Sequence, residues 1–496
     1  MTTTGTAPRY APLRPRLAAL GFRAMLPAAE RYFRSRNFHR PDSAFAAERA
    51  RELAARLERG ETAYLVGVNI GGFHNTGVAL VEVTPSGGPH IICNNEEERF
   101  SGEKHSNLYP RHSLAALAEQ MAERGISPDR VVAWLATYDL ALFFASGFRS
   151  MLEEFPASLD LALRDHPPSY DGRQLRAGLR APQELAALFG LDRPAPIIGM
   201  RHHDNHAVFS YQVSPFAAEP SPTMVVVIDG SGDFGSISLY LGENGRVRPI
   251  RSNASLFDSL GMFYAVISSS QGGWTALSSE GRYMGATAYG DMNRATNPYY
   301  QRLRAIFDFR PGGDLRLNRS LANWPRSMLY KPYTPELIDI LGAPIAPEQM
   351  WNPDSVLRVE DIRHRPNTQE RLDKAAATQL VFEDGLFHVI DALIRETGAE
   401  QLVLTGGAAL NAVANMRLLE RFDEAYYRRA LGRTARLRLW VPPVPGDSGV
   451  TIGAAYAFAA EAGVGLGPRL EHAFYCGRAA RLAELQAAFD GAPDVA

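Results

Sequence analysis

The chain has 496 residues, of which 46% are hydrophobic, and carries a formal charge of −2 at neutral pH. That length exceeds one ordinary core and predicts two or three domains, and so small a net charge argues against bulk electrostatic binding to nucleic acid. No apolar run approaches a bilayer span, and no apolar leader with a small-residue cleavage site opens the chain. Its two cysteines, Cys93 and Cys476, exclude a disulfide framework or a Cys-rich zinc site, so a cytoplasmic protein without membrane attachment is expected.

Residues 1–60 are rich in Ala, Arg and Glu, with helical spacing over 44–57, and read as an N-terminal helical extension. At Ala63 the pattern changes. Residues 64–69 predict a strand, 70–75 a turn, 76–83 a second strand and, after a Gly-Gly-Pro turn, 90–94 a third. A helix is expected to run to Arg124, followed by buried strands at 131–136 and 195–198. The second of these feeds the run Met200-Arg201-His202-His203-Asp204-Asn205-His206, on a helix reaching Tyr211. A second meander follows: a strand at 224–228, the turn Asp229-Gly230-Ser231-Gly232-Asp233, and a strand at 235–241. Helices are predicted at 257–270 and 374–397, with an irregular, Pro-rich stretch at 290–370 between them. The strand 401–404 runs into Thr405-Gly406-Gly407-Ala408-Ala409-Leu410-Asn411, which opens a helix. A last strand at 437–441 and a Gly/Asp turn at 446–449 lead into a helix ending at Ala460. Two meanders, each followed by helices, suggest two lobes of similar plan.

His202 and His206 are four apart, a spacing that stacks two imidazoles on one helix face within reach of one metal ion. The best third ligand is Asp447, in the turn before the last helix; the alternative is a surface His cluster or a helix cap. Three glycine-bearing turns join this pair. Gly67 to Gly77 forms a strand–turn–strand that can set backbone N–H groups against phosphate, and Asp229-Gly230-Ser231-Gly232 repeats that plan, with Asp229 available for Mg²⁺ or a ribose. Gly406 and Gly407 let a nucleoside lie flat at a helix N-terminus. One glycine turn after a strand is ordinary, but the order of these three matches the two phosphate loops and the adenosine loop of the actin/Hsp70/sugar-kinase fold. The expected architecture is therefore an α/β, two-lobed actin/Hsp70-like (ASKHA) ATPase fold: lobe I over 61–222, lobe II over 223–475 and a short tail or linker at 476–496.

The motifs His74-Asn75-Thr76-Gly77, Glu97-Glu98-Arg99-Phe100 with Lys104-His105, Tyr109-Pro110-Arg111-His112-Ser113 and His202-His203-x-x-His206 occur in order. Asp229-Gly230-x-Gly232, Glu280-Gly281-Arg282-x-Met284-Gly285, Gly406-Gly407-x-Ala409-x-Asn411 and Pro445-Gly446-Asp447-Ser448-Gly449 complete the series. Over about residues 64–475 the chain resembles the ATP-dependent O-carbamoyltransferases that modify antibiotics and nodulation factors, whose transferase domain is similar to the tRNA threonylcarbamoyltransferase. The resemblance implies that His202, His206 and Asp447 hold a divalent metal, iron, that binds nucleotide phosphate oxygens. It implies that Gly406, Gly407 and Asn411 bind the adenosine of ATP or carbamoyl-adenylate. Asp229, Gly230, Gly232 and the turn carrying Glu280 and Gly281 would line the phosphates, and His203 would be a neighbouring or phosphate contact. His74 and Lys104 would face the carbamoyl group and the acceptor hydroxyl. Lysine is rare here, at positions 104, 331 and 374 alone, which makes the compact ammonium of Lys104 notable.

Two positions depart from the family pattern: Asn75 stands where Asp is usual, and Arg282 where Lys is usual. The residues after 475 are too few for the family's YrdC-like domain, which makes carbamoyl-adenylate from carbamoyl phosphate and ATP; a separate YrdC-like subunit is the expected partner, the alternatives being a truncated sequence or different chemistry with a bound nucleotide. The expected function is carbamoyl transfer to a hydroxyl or amine of a small natural product, with residues 140–190 and 290–370 as acceptor walls by elimination. A nucleotide-binding regulatory subunit of a complete carbamoyltransferase and a small-molecule kinase on the same fold are the alternatives.

Overall fold

The computed structural model describes residues 13–164, 171–470 and 482–491. Strands Ala63–Asn69 and Thr223–Ile228 are buried along their whole length, as their unbroken apolar runs require of strands covered on both faces. Each is the centre of a sheet. In the first sheet, Ala63–Asn69 pairs antiparallel with Gly77–Thr84, which pairs with Gly88–Glu96; its other edge pairs parallel with Val131–Ala136, then Ile197–Gly199. In the second, Thr223–Ile228 is flanked by antiparallel Ile237–Glu243 and Arg246–Ser252 on one side and by parallel Gln401–Thr405 and Arg438–Trp440 on the other. The strand order is the same in both sheets, and the molecule is the two-lobed α/β ASKHA fold.

The segment before residue 60 is more than a helical appendage. Between helices Leu13–Arg34 and Ala44–Glu58, the short strand Phe38–His39 adds a sixth strand to the first sheet. Helix Leu13–Arg34 packs along helix Leu140–Glu153, and Arg40 donates from Nε to the buried Asp139 carboxylate at 3.0 Å. The stretch 290–370 is only partly irregular: it holds the hairpin Phe307–Arg310/Asp314–Leu317 and helix Pro335–Leu341. The 280–285 segment is not a turn but the helix Glu280–Ala286. Most of the tail lies outside the described residues, as does Cys476; helix Leu482–Asp490 is within them. Among the described residues no helix is long and apolar enough to cross a membrane.

Helix Val450–Glu461 follows the second sheet in sequence but packs on the first, beside helix His202–Gln212. The approach is close: a Cβ on Gly67 would lie 1.8 Å from the Thr451 carbonyl oxygen, and one on Gly453 would lie 2.5 Å from that of Asn205. A linear boundary after residue 222 therefore does not describe this helix. Helix His202–Gln212 is buried almost all round between the two sheets, so its imidazoles point into the interior.

Candidate functional site

Four ends of structure meet between the lobes. His202 and His206 project from the first turns of helix His202–Gln212, Asp229 follows strand Thr223–Ile228, and Asp447 opens the turn before helix Val450–Glu461. His202 Nε2 lies 3.2 Å from Asp229 Oδ2 and 3.5 Å from Asp447 Oδ1; His206 Nε2 lies 3.3 and 3.4 Å from the same two oxygens. All four residues are buried, with Asp229 at 5% exposure the most open. Burial opposes charge on His202, but Asp447 and Asp229 outweigh it and raise the imidazole to about 10. His206 is raised by the same carboxylates against its own burial. Burial disfavours both carboxylates as well, yet His74 and His202 hold Asp447, and His202 and His206 hold Asp229, below the usual carboxylate range.

These residues fit a divalent metal. His206 Nε2 and Asp447 Oδ1 are buried and make no hydrogen bond although they point at the same small space. Ligands about 2.0–2.2 Å from a first-row dication stand roughly 3.0–3.5 Å apart, the spacing found here. Two imidazoles and two carboxylates suit iron, zinc or manganese alike. Asp229 thus stands beside the expected ligands rather than on a phosphate loop alone. Its other oxygen, Oδ1, accepts the N–H of Gly230 at 2.7 Å and of Gly407 at 3.2 Å. A carboxylate at the end of a buried strand, just before glycines, was the signal in the sequence.

The support around the quartet is specific. Asp233 Oδ2 accepts the His202 backbone N–H, so a lobe II loop caps a lobe I helix that has no side-chain cap of its own. Burial raises the Asp233 carboxyl to about 8. Tyr138 stacks between Phe73 (4.0 Å, 15°) and His202 (4.2 Å, 12°), fixing the ring plane of His202. Residue 203 faces away: its Nδ1 is 2.7 Å from the Ser238 hydroxyl, and burial with the His202 charge lowers it to about 3.

The first-lobe turn reaches the same place. Asn69 Nδ2 donates to the carbonyls of His74 and Asn75 and holds the turn. His74 Nδ1 is 2.7 Å from Asn75 Oδ1, and its Nε2 faces Asp447 Oδ2 at 3.4 Å. His105 shares Asn75 Oδ1 at 3.3 Å, and its ring lies beside the Leu277 backbone of lobe II. Asn75, His105 and Leu277 all have positive φ (54°, 54° and 71°). Three such residues in one contact chain mark backbone strain held at a site.

The remaining expected residues divide. Gly230 has open space where a Cβ would be, as a ligand-facing glycine should. Gly406, at φ 89°, would drive a Cβ to 2.4 Å from the Ile228 carbonyl, and its N–H donates to Pro445, tying the third turn to the one bearing Asp447. Gly232 instead packs against the His203 ring, 2.6 Å from an added Cβ. The Glu280 carboxylate accepts the Leu277 N–H at 3.0 Å, and Arg282 lies over the Trp351 ring; both serve the segment that touches His105. Gly281 is open. Lys104 is exposed beside His105. Asn411 caps helix Ala412–Arg421 through Oδ1 and pairs with Gln379, a buried residue that no motif pointed to.

The family model for the carbamoyltransferase N-terminus matches residues 65–456. The uncharacterized protein sll1178 of Synechocystis sp. is 28% identical over 396 residues, covering 77% of this chain and 55% of that protein. Nodulation protein NolNO of Sinorhizobium fredii is 27% identical over 376 residues, covering 75% of this chain and 45% of its own. The chain thus spans about half the length of these relatives. Among solved structures, full-length HypF in its phosphate- and nucleotide-bound form aligns over 80% of this chain and 55% of its own, at 11% identity and a TM-score of 0.37. The family match contains the second sheet, the first sheet but for its edge strand Phe38–His39 and the first two residues of Ala63–Asn69, all three glycine turns and all four members of the buried quartet, and the chain belongs to the carbamoyltransferase family.

Proposed function

We propose that this chain carries out the transfer half of a carbamoylation: the carbamoyl group passes from carbamoyl-adenylate to a hydroxyl or amine of a small natural product, and a separate YrdC-like subunit makes the adenylate. The observation that carries the reading is the buried quartet of His202, His206, Asp229 and Asp447, which adjoins the open Gly230 and the Gly406–Gly407 turn inside a family-wide match. A divalent metal held there, iron in this proposal, would neutralise phosphate charge and help orient the nucleotide.

The chain's own residues supply the rest. The Gly230 position leaves room for phosphate oxygens, and the turn from Gly406 to Asn411 offers the surface for the nucleoside. The acceptor oxygen or nitrogen attacks the carbamoyl carbon, its proton passes to His74, the bond from that carbon to the phosphate oxygen breaks, and AMP leaves. His74 is suited to the proton because Asn75 fixes one ring nitrogen while the other faces the site, with 21% of the side chain exposed. Lys104, exposed beside His105, offsets charge on the departing phosphate.

The test supplies the full chain, loaded with Fe²⁺, with carbamoyl-adenylate generated by a YrdC-type enzyme and a panel of hydroxylated and aminated natural products. Acceptor-dependent AMP release, together with product carrying one added carbamoyl group, supports the proposal. ATP binding without transfer to any acceptor moves the reading to a regulatory subunit.

A further inference from the structure

We infer that Gln379 sets the ligand specificity of the turn after strand Gln401–Thr405, by orienting the Asn411 amide so that a single N–H is left for a ligand; this rests on the nucleotide reading above. Gln379 lies on helix Thr368–Thr397 and is wholly buried. It exchanges two hydrogen bonds with Asn411: Gln379 Nε2 donates to Asn411 Oδ1 at 3.1 Å, and Asn411 Nδ2 donates to Gln379 Oε1 at 2.9 Å.

A reciprocal pair of amides is ambiguous by itself, because both can flip together and exchange nitrogen for oxygen at each end. Here the Asn411 end removes the ambiguity, and the Gln379 end agrees with it. The backbone N–H of Ala414 can only donate, and it reaches Asn411 Oδ1 at 3.0 Å, so oxygen must face the helix. At the other end Glu383 accepts from Gln379 Nε2 at 3.2 Å while Arg294 donates to its second oxygen, also at 3.2 Å, against a burial that pushes the carboxyl up. The Tyr264 hydroxyl donates to Gln379 Oε1 at 2.9 Å, in agreement.

With that orientation the inventory of Asn411 closes. Its oxygen accepts two hydrogen bonds and one of its two amide protons is taken by Gln379, which leaves one proton. The position is therefore built to meet an acceptor atom, a ribose oxygen or a purine ring nitrogen, and to reject a group that presents its own proton. The same turn carries Gly407, whose N–H holds the Asp229 carboxylate, so a nucleotide bound at the quartet would extend toward this proton. Gln379 touches no ligand in this account; it is a positioning residue.

The test is calorimetric titration of the full, metal-loaded chain with ATP and with analogues that each lack one acceptor: 2′-deoxy, 3′-deoxy and 1-, 3- and 7-deaza-adenine forms. One analogue is expected to bind wild type at least about tenfold more weakly than ATP. In Asn411→Asp, which keeps the oxygen facing Ala414 but lacks the free N–H, ATP should weaken to the level of that analogue and the discrimination should vanish. Gln379→Glu should lose the discrimination too, with metal content unchanged. Equal binding of all analogues by wild type, or undiminished discrimination in Asn411→Asp, overturns the inference while leaving nucleotide binding intact. Wild type that binds no ATP overturns the nucleotide reading and this inference with it. Should Gln379→Glu fail to fold, the wild-type series and Asn411→Asp decide.

Discussion

The same turn occurs twice in this molecule, once at the head of each meander, and the two copies have opposite characters. In lobe II the turn after Thr223–Ile228 gives a buried carboxylate, Asp229, clamped by two backbone N–H groups and two imidazoles. In lobe I the turn after Ala63–Asn69 gives a partly exposed imidazole, His74, on a backbone strained at Asn75 and held by one side-chain oxygen. One scaffold, repeated, buries a compensated charge on one side and sets a partly exposed imidazole on the other, the group that the proposed reaction uses as its proton carrier. A buried, compensated group is costly to move, whereas a partly exposed one on a strained turn can change partners more readily.

Substitutions can break that contrast. On the immobilising side, His202→Ala or Asp447→Ala should lower metal affinity by more than about 100-fold, because removing a ligand costs more than disturbing its supporting shell. Elemental analysis of the purified variants, expected to show only traces of metal, checks this. On the presenting side, His74→Ala should leave metal content near wild type while acceptor-dependent AMP release falls about 100- to 1,000-fold, as expected for loss of a general base. Loss of metal in His74→Ala would erase the distinction between the two turns.

The contrast was half legible in the sequence. Both meanders and the three glycine turns could be placed because short apolar runs bounded by Gly turns are local signals, and His202 and His206 because helical spacing puts them together. Asp447 could be picked out as a candidate by its Gly/Pro-rich turn ahead of an apolar helix, although nothing local fixes which distant carboxylate meets a His pair. The neighbourhood of Asp229 was missed for the same reason: its meeting with the histidines is made by the packing of two lobes. The packing role of Gly232 was not legible, because a phosphate-facing glycine and one that makes room for a ring look identical in sequence; Gly230 and Gly232 differ in what lies opposite. Helix Val450–Glu461 was predicted as a helix, but its crossing to the first sheet depends on Gly67 and Gly453, whose partners lie far away in the chain.

A smaller effect is expected where the lobes are joined rather than where they react. Asp258 of lobe II is buried and accepts from Arg319 at 2.6 Å, Arg316 at 3.1 Å and the Leu317 N–H at 2.8 Å, while Arg319 also reaches Glu154 of lobe I at 3.0 Å. Burial opposes ionisation of Asp258, but Arg319 and the other donors outweigh it and hold the carboxyl below its ordinary value. A carboxylate whose folded value is depressed stabilises the protein above its unfolded pKa of about 3.9, and that contribution is lost as pH falls through the folded value. Asp258→Asn should therefore cost about 2–4 kcal/mol near pH 7, leaving two arginines short of a partner, and the deficit relative to wild type should shrink as the solution is acidified below pH 4. Denaturant melts of both proteins at several pH values measure it; a deficit independent of pH would mean that Asp258 acts through packing alone.

The finest discrimination lies between two glycines of one turn. A Cβ at position 232 would meet the His203 ring at 2.6 Å, and that ring is buried and hydrogen-bonded to Ser238, so it has little room to yield. Gly232→Ala should destabilise the fold by about 1–3 kcal/mol, the usual cost of overpacking. At position 230 a Cβ meets nothing within 4 Å, and φ there does not require glycine, so Gly230→Ala should leave the melting temperature almost unchanged. Its effect should fall on ATP affinity instead, because the methyl group would occupy the space in which the proposed phosphate lies. Thermal melts and ATP titrations of the two variants thus separate a glycine kept for packing from one kept for a ligand. If Gly230→Ala binds ATP as wild type does, the open space beside Asp229 is not where the phosphates sit, and the nucleotide would have to approach the quartet from the His74 side of the cleft.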